Sequence, residues 1–185
     1  MKPIRLLGFA LATFFTWSLF APEASWAQSN PAEYKLKVAY IYNFCNYIEW
    51  PATAFDNPES PVVIGVLGPD PFESNLDDLA KKKQVQKRKI EIKRFASEQE
   101  FEPCHLLFIS VDADPKLRDW AIENTSKLST LLVGESKGFA AQGADVNFFL
   151  DLNGTIGFEM NAKSIDSKAL KVNARLAKIA TIINP

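Results

Sequence analysis

The chain of 185 residues holds one histidine, His105, and two cysteines, Cys45 and Cys104. So few soft or imidazole ligands give no spacing of the usual zinc type, so no metal site is expected. A cysteine–histidine dyad needs both side chains within hydrogen-bond reach. Cys104 and His105 are adjacent, and successive side chains of a strand point to opposite faces, so these two diverge. His105 therefore reads as a packed strand-end residue. No Gly-x-Gly-x-x-Gly run, internal repeat or low-complexity segment is present, and no cofactor is expected. Positive charge is not in surplus either: 21 basic side chains face 22 acidic ones, which gives no electrostatic case for nucleic acid. Beyond the first 20 residues no segment approaches the roughly 20 apolar residues that a bilayer requires. What these shortages leave open is binding, and catalysis by carboxylates alone. The sign of the latter would be two acids converging in one cleft, such as Asp70 and Glu135.

The ends and the patterning are more informative. Lys2 and Arg5 precede an uncharged, mostly apolar run from Leu6 to Phe20, and Ser25-Trp26-Ala27 supplies a small-x-small site. That is the layout of a secretory signal peptide cleaved after Ala27, so residues 1–27 are expected to be removed and 28–185 to form one periplasmic domain. Removal takes Lys2, Arg5 and Glu23, leaving nineteen basic and twenty-one acidic side chains. In an oxidising compartment an even pair of cysteines suggests a disulfide. Closing the loop between Cys45 and Cys104 could contribute roughly 4 kcal/mol in the chain-entropy model. The alternative is two buried free thiols, since sequence does not report Cα proximity.

Tyr34 to Trp50 is helical in pattern, with one apolar stripe through Val38, Ile41, Tyr42, Cys45 and Ile48 and a second through Leu36, Tyr40, Phe44 and Tyr47. A helix apolar on two faces must be covered on two faces, by its own chain or by a partner. Pro51 is expected to end it. Strands are expected at Val62–Leu67, Lys89–Phe95, His105–Ser110, Thr130–Val133, Val146–Leu150 and Thr155–Met160, and helices at Phe72–Lys83, Pro115–Ser126 and Ser164–Ile183. Strand runs each followed by a turn and a helix argue for an α/β domain with a mainly parallel sheet between helices. Asp151-Leu152-Asn153-Gly154 predicts a C-terminal hairpin, and a long helix closes the chain. The basic cluster from Lys81 to Arg94 reads as a solvated connection, or more sharply as a docking patch for an acidic partner.

The segment Lys37-Val-Ala-Tyr-Ile-Tyr-Asn-Phe-Cys-Asn-Tyr-Ile-Glu-Trp-Pro51 resembles the opening helix of the YfiR family of periplasmic proteins. Four further blocks match in order: Ile64-Gly-Val-Leu-Gly-Pro-Asp-Pro-Phe72, Cys104-His-Leu-Leu-Phe-Ile-Ser110, Leu132-Val-Gly-Glu-Ser-Lys-Gly-Phe139 and Phe158-Glu-Met-Asn161. The similarity covers essentially the whole chain after residue 27. It departs at Gly143-Ala144, where the family has paired glycines, at Val172-Asn173-Ala174-Arg175, and at Cys45, where the family has a small residue. The last departure weakens any claim that a Cys45–Cys104 bridge is a family feature. The resemblance implies a repressor that binds the periplasmic sensor domain of an inner-membrane diguanylate cyclase of the YfiN type and lowers cyclic di-GMP.

Two sets of residues are candidates for that work. Gly68, Asp70 and Phe72 lie in a loop after a strand, and Ser110, Ser136, Gly138 and Phe139 are expected on neighbouring loops at the strand carboxyl ends, where open α/β sheets bind ligands. A periplasmic small-molecule-binding accessory protein is accordingly the alternative function. The aromatic stripe Tyr40, Phe44, Tyr47 and Trp50 exceeds what one helix face buries, and aromatic side chains are enriched at interface cores. Part of it is expected to meet the membrane partner or a second copy in a homodimer.

Overall fold

The computed structural model describes residues 30–185, so the expected signal peptide lies outside the described residues. Helix α1 spans Pro31–Tyr47. Asn30 caps it by accepting from the Ala32 N–H, and Pro31 stands in the first turn, where its missing N–H costs nothing. Its buried side is Tyr34, Lys37, Val38, Ile41, Phe44 and Cys45, the i, i+3, i+4 spacing of one helix face. The helix stops three residues before Pro51, because Ile48 turns extended to form β1 (Ile48–Glu49).

The chain then runs through β2 (Val62–Leu67), α2 (Asn75–Lys82), β3 (Gln84–Val85), β4 (Arg88–Phe95), β5 (Leu106–Ile109), α3 (Pro115–Thr125), β6 (Leu131–Gly134), α4 (Phe139–Gln142), β7 (Val146–Leu150) and β8 (Ile156–Asn161). It finishes with α5 (Ala162–Ser167), β9 (Lys171–Val172), α6 (Ala174–Ala177) and β10 (Thr181–Ile183). Eight strands form one sheet in the order β10-β8-β7-β6-β5-β2-β4-β3. The five from β7 to β4 are parallel to one another, as the repeated strand–helix pattern predicts. Strand β8 returns antiparallel to β7, closing the expected hairpin. In its turn Asp151 accepts from the N–H groups of Asn153 and Thr155.

Alternate residues of each central strand enter opposite cores. Ile64, Val66, Leu106, Phe108, Leu131 and Val133 face the layer that holds α1 and α2. Leu67, Leu107, Ile109 and Leu132 face the layer that holds α3 and α4. Cys45 lies in the first core and Cys104 in the second, both free and buried. The expected disulfide is therefore corrected: the sheet stands between the two thiols. Burial pushes both thiols up to about 12, which leaves them unreactive.

The long closing helix is also corrected. Within Ser164–Ile183 only two short helices form, and the rest is used as edge pairing. Ala169 adopts φ 56°, which no helix interior accepts. Lys171 and Val172 pair with Glu49 and Ile48, Asn173 caps α6, and Thr181–Ile183 lie parallel to Glu159–Asn161. Ile165, Leu170 and Leu176 still reach one core, but from α5, the connection after it, and α6. This C-terminal segment and α2 both pack against α1, while Leu36 on its second stripe stays exposed.

Candidate functional site

Where the parallel strands end, three groups converge on the start of α1. Glu135 follows β6, Val111 follows β5, and α1 contributes Glu33, Tyr34 and Lys37. The Lys37 ammonium bonds to Glu33 (2.5 Å) and to Glu135. Glu135 also accepts from the Tyr34 hydroxyl (3.0 Å) and the Val111 N–H (3.1 Å). Lys37 and Glu135 expose only 6% and 4% of their side chains, so the pair is shielded from water. Burial, and then the Glu135 carboxylate, raise the Tyr34 pKa and keep its hydroxyl a donor. Two carboxylates against one ammonium leave a net negative charge. These groups and Phe148, Phe149 and Leu150 line a cavity of about 240 Å³.

None of the seven residues expected to form a ligand site lines that cavity. Phe72, Ser110 and Phe139 are buried, which removes them from contact with a surface ligand. Phe72 plugs the expected crevice, edge-on to Tyr34 (5.6 Å) and Phe108 (4.5 Å). Asp70 accepts from the Phe72 N–H and pairs with Arg94 (2.7 Å), which also grips Asp77. Gly68, at φ 81°, makes the sharp exit from β2, and Gly138, at φ 75°, opens α4. Ser110 and Ser136 keep buried hydroxyls without a partner. Asp70 and Glu135 each have their own cation, so they do not form an acid pair. Among the described residues no three His, Cys, Asp or Glu side chains are placed to share a metal ion.

The aromatic stripe is largely internal. Phe44 is completely buried, stacked on Phe148 (5.6 Å) and edge-on to Phe158 (5.0 Å), so its assignment to an interface is corrected. Tyr40 covers the same two rings, and Tyr47 is partly buried against the first core. Trp50 donates its indole N–H to the His105 carbonyl (3.1 Å). Large exposed apolar side chains lie on α1 (Leu36), towards the C-terminus (Ile179 and Ile182) and around the cavity. Val111, Phe149, Leu150 and Leu152 cluster at and beyond the cavity mouth and the β7–β8 hairpin, and Leu152 is fully exposed. Phe149 is held there by Gly157, its cross-strand partner, which has no side chain to push the ring away.

Three sequence signals pointed to this site and were not combined. Lys37 is a charge on the buried stripe of a helix, which demands a partner. Glu135 is an acid just past a buried strand, and the hairpin carries one leucine at the end of β7 and another within its turn.

The match to known families covers residues 34–181 and is to the profile described as YfiR/HmsC-like. The chain belongs to the YfiR/HmsC-like family. No curated protein matches it. As a YfiR/HmsC-like protein it falls in a periplasmic, regulatory family whose members interact with membrane signalling proteins. The five sequence blocks all lie within the matched residues.

His105 occupies the opposite, amino end of the sheet. Its Nδ1 accepts from the Val63 N–H (3.0 Å), and its ring stacks on Phe55 (4.4 Å) and meets Trp50 edge-on. Nδ1 is thus unprotonated and Nε2 carries the proton. Burial lowers the imidazole pKa below its ordinary 6.5, and Arg88 adds to this against Ala54 and Asp56. A base whose folded pKa is depressed contributes stability above its unfolded pKa and loses it as pH falls. The urea midpoint is therefore expected to drop as pH goes below about 6.5. His105→Asn retains an acceptor for Val63 and cannot titrate, so it should flatten the profile near that pH. An unchanged slope in the variant would assign the acid loss to other groups.

Proposed function

We propose that this protein is a periplasmic regulator that binds and inhibits the sensor domain of an inner-membrane diguanylate cyclase, of the YfiN type, and so lowers cyclic di-GMP. Membership of the YfiR/HmsC-like family carries this reading. The molecule supports it with an exposed apolar cluster, Val111, Phe149, Leu150 and Leu152, around a negatively charged cavity. Large exposed apolar groups gathered in one place are the mark of a docking surface. Inhibition follows if the protein binds the inactive cyclase better than the active one, and the shift is limited by that difference in affinity.

The test is deletion of the gene with cyclic di-GMP measured, followed by complementation. Deletion should raise cyclic di-GMP, and cross-linking in the periplasm should recover a membrane cyclase. Unchanged levels with no cyclase recovered would count against the reading. The paired change Leu150→Asp and Leu152→Asp is expected to weaken cyclase binding by about 30-fold or more, as for loss of a central apolar anchor. Thermal stability should stay near the parent value, because both side chains are exposed. Light scattering on the same variant reads whether the hairpin surface also joins two copies.

The cavity favours a second reading, a small-molecule-binding accessory protein for another membrane receptor or kinase. A thermal-shift screen with nucleotides, amino acids and aromatic metabolites would separate the two. Glu135→Gln should then abolish any shift that arises in this cavity.

A further inference from the structure

The most lopsided charge on the molecule lies at the β3–β4 edge of the sheet. Between Asn75 and Arg94 there are eight basic and three acidic side chains, while the rest of the chain has thirteen basic and nineteen acidic. Lys81, Lys82 and Lys83 close α2, Lys87 sits in the β3–β4 turn, and Lys89 follows on β4. All five are exposed, as is Lys35 on the adjoining α1. Among the described residues none of these six makes an ion pair. The neighbouring acids are mostly committed elsewhere. Asp77 belongs to Arg94 and Glu91 lies 4.0 Å from Lys93, so only Asp78 shares the groove of Lys35, Lys82 and Lys83.

The contrast with Arg88 is informative. Arg88 donates to the carbonyls of Asn57 and Ser60 and lies 3.9 Å over the Phe55 ring, so it has a structural task. The lysines have none. Gln86 and Lys87 take positive φ (50° and 69°), the two-residue hairpin turn that projects its central side chains outward. Like charges packed this closely repel, and the fold leaves them so at one corner.

We propose that this lysine corner is a membrane-facing surface that holds the protein against the anionic phospholipid headgroups of a bilayer. Lysines are point charges on flexible stems, without the fork that reads one phosphate or carboxylate in a fixed geometry. Spread over a helix end, a turn and a strand, they match a fluid array of anions better than a shaped acidic pocket. Each basic side chain near an anionic leaflet is worth about a fivefold change in partition, and the attraction fades within a Debye length. The inference rests on the reading that the protein works on a membrane-embedded partner, since confinement to the leaflet raises the rate of meeting it.

The test is sedimentation of the purified protein with vesicles of phosphatidylglycerol and phosphatidylcholine, and with phosphatidylcholine alone. Binding is expected only to the anionic vesicles, and salt near 1 M, where the Debye length is about 3 Å, should abolish it. The combined change of Lys81, Lys82, Lys83, Lys87 and Lys89 to Gln should lower the partition coefficient by about 100-fold or more, with the melting temperature unchanged. Equal binding to both vesicle types, or an unaffected variant, overturns the proposal. So does a variant that loses capture of the cyclase sensor domain while neither protein binds vesicles; that result assigns the corner to an acidic protein. No cyclase is present in the vesicle assay, so failure of the regulatory reading does not alter its outcome.

Discussion

Lys168→Met is expected to lower the free energy of unfolding by about 3–5 kcal/mol, the cost of breaking a buried ion pair by removing one partner. Lys168 and Asp145 expose 2% and 0% of their side chains and lie 2.5 Å apart. Asp145 also accepts from the Leu132 N–H (2.6 Å) and the Ser164 hydroxyl (2.6 Å). Lys168 also donates to the Thr130 carbonyl (3.1 Å). The network therefore ties α5 to the strands β6 and β7. Without the ammonium, a buried carboxylate retains two neutral donors and no counter-charge. The paired change Asp145→Leu with Lys168→Met removes both charges and should recover part of the loss, because the attraction and the desolvation cost disappear together. Urea unfolding measures all three proteins. A loss below about 1 kcal/mol for the single change would mean that the pair behaves like a surface bridge.

Phe44→Ala should be as severe, about 3–5 kcal/mol, because it empties a ring-sized space among Tyr40, Phe148 and Phe158. For a domain of this length the melting temperature would fall on the order of 10 °C. The contrast is with a docking role, in which partner binding would drop and the melting temperature would hold. Calorimetry on the isolated protein decides between them, and a fall below about 2 °C would return Phe44 to the interface.

The parallel centre of the fold is legible because β2, β5 and β6 are short apolar runs closed by turns and β4 alternates apolar with charged residues, patterns that local composition marks. The hairpin was legible from four residues, Asp151 to Gly154. The closing helix was misread because Ile165, Leu170 and Leu176 have a helical spacing yet reach the core from a helix, a connecting residue and another helix. The competing signals were present: Asn173 is an N-cap residue, and Thr181-Ile-Ile is β-branched. Only the partners decide, since β9 needs β1 and β10 needs β8, and a linear reading holds no register.

The site was legible in part. A cavity does open at the strand carboxyl ends, but Gly68, Asp70 and Gly138 shape the loops beside it and do not line it. Phe72 does lie in the loop before α2, but its ring is fully buried under Tyr34 instead of facing a ligand. The charge pair that lines the cavity, Lys37 and Glu135, is ninety-eight residues apart in sequence, and no local pattern joins it. Of the aromatic stripe only Phe44 is fully buried, against Phe148 and Phe158, while Tyr40, Tyr47 and Trp50 stay half-buried.

That returning segment has a bearing on when the molecule becomes whole. Glu49 and Ile48 find their strand partners only in Lys171 and Val172, and the sheet edge is completed by Thr181–Ile183. Without Lys171–Val172 and Thr181–Ile183, the exit of α1 and the β8 edge have no partner strand, although the strands from β4 to β8 pair without them. The strands that close the fold are thus the ones farthest along the chain from the helix they secure.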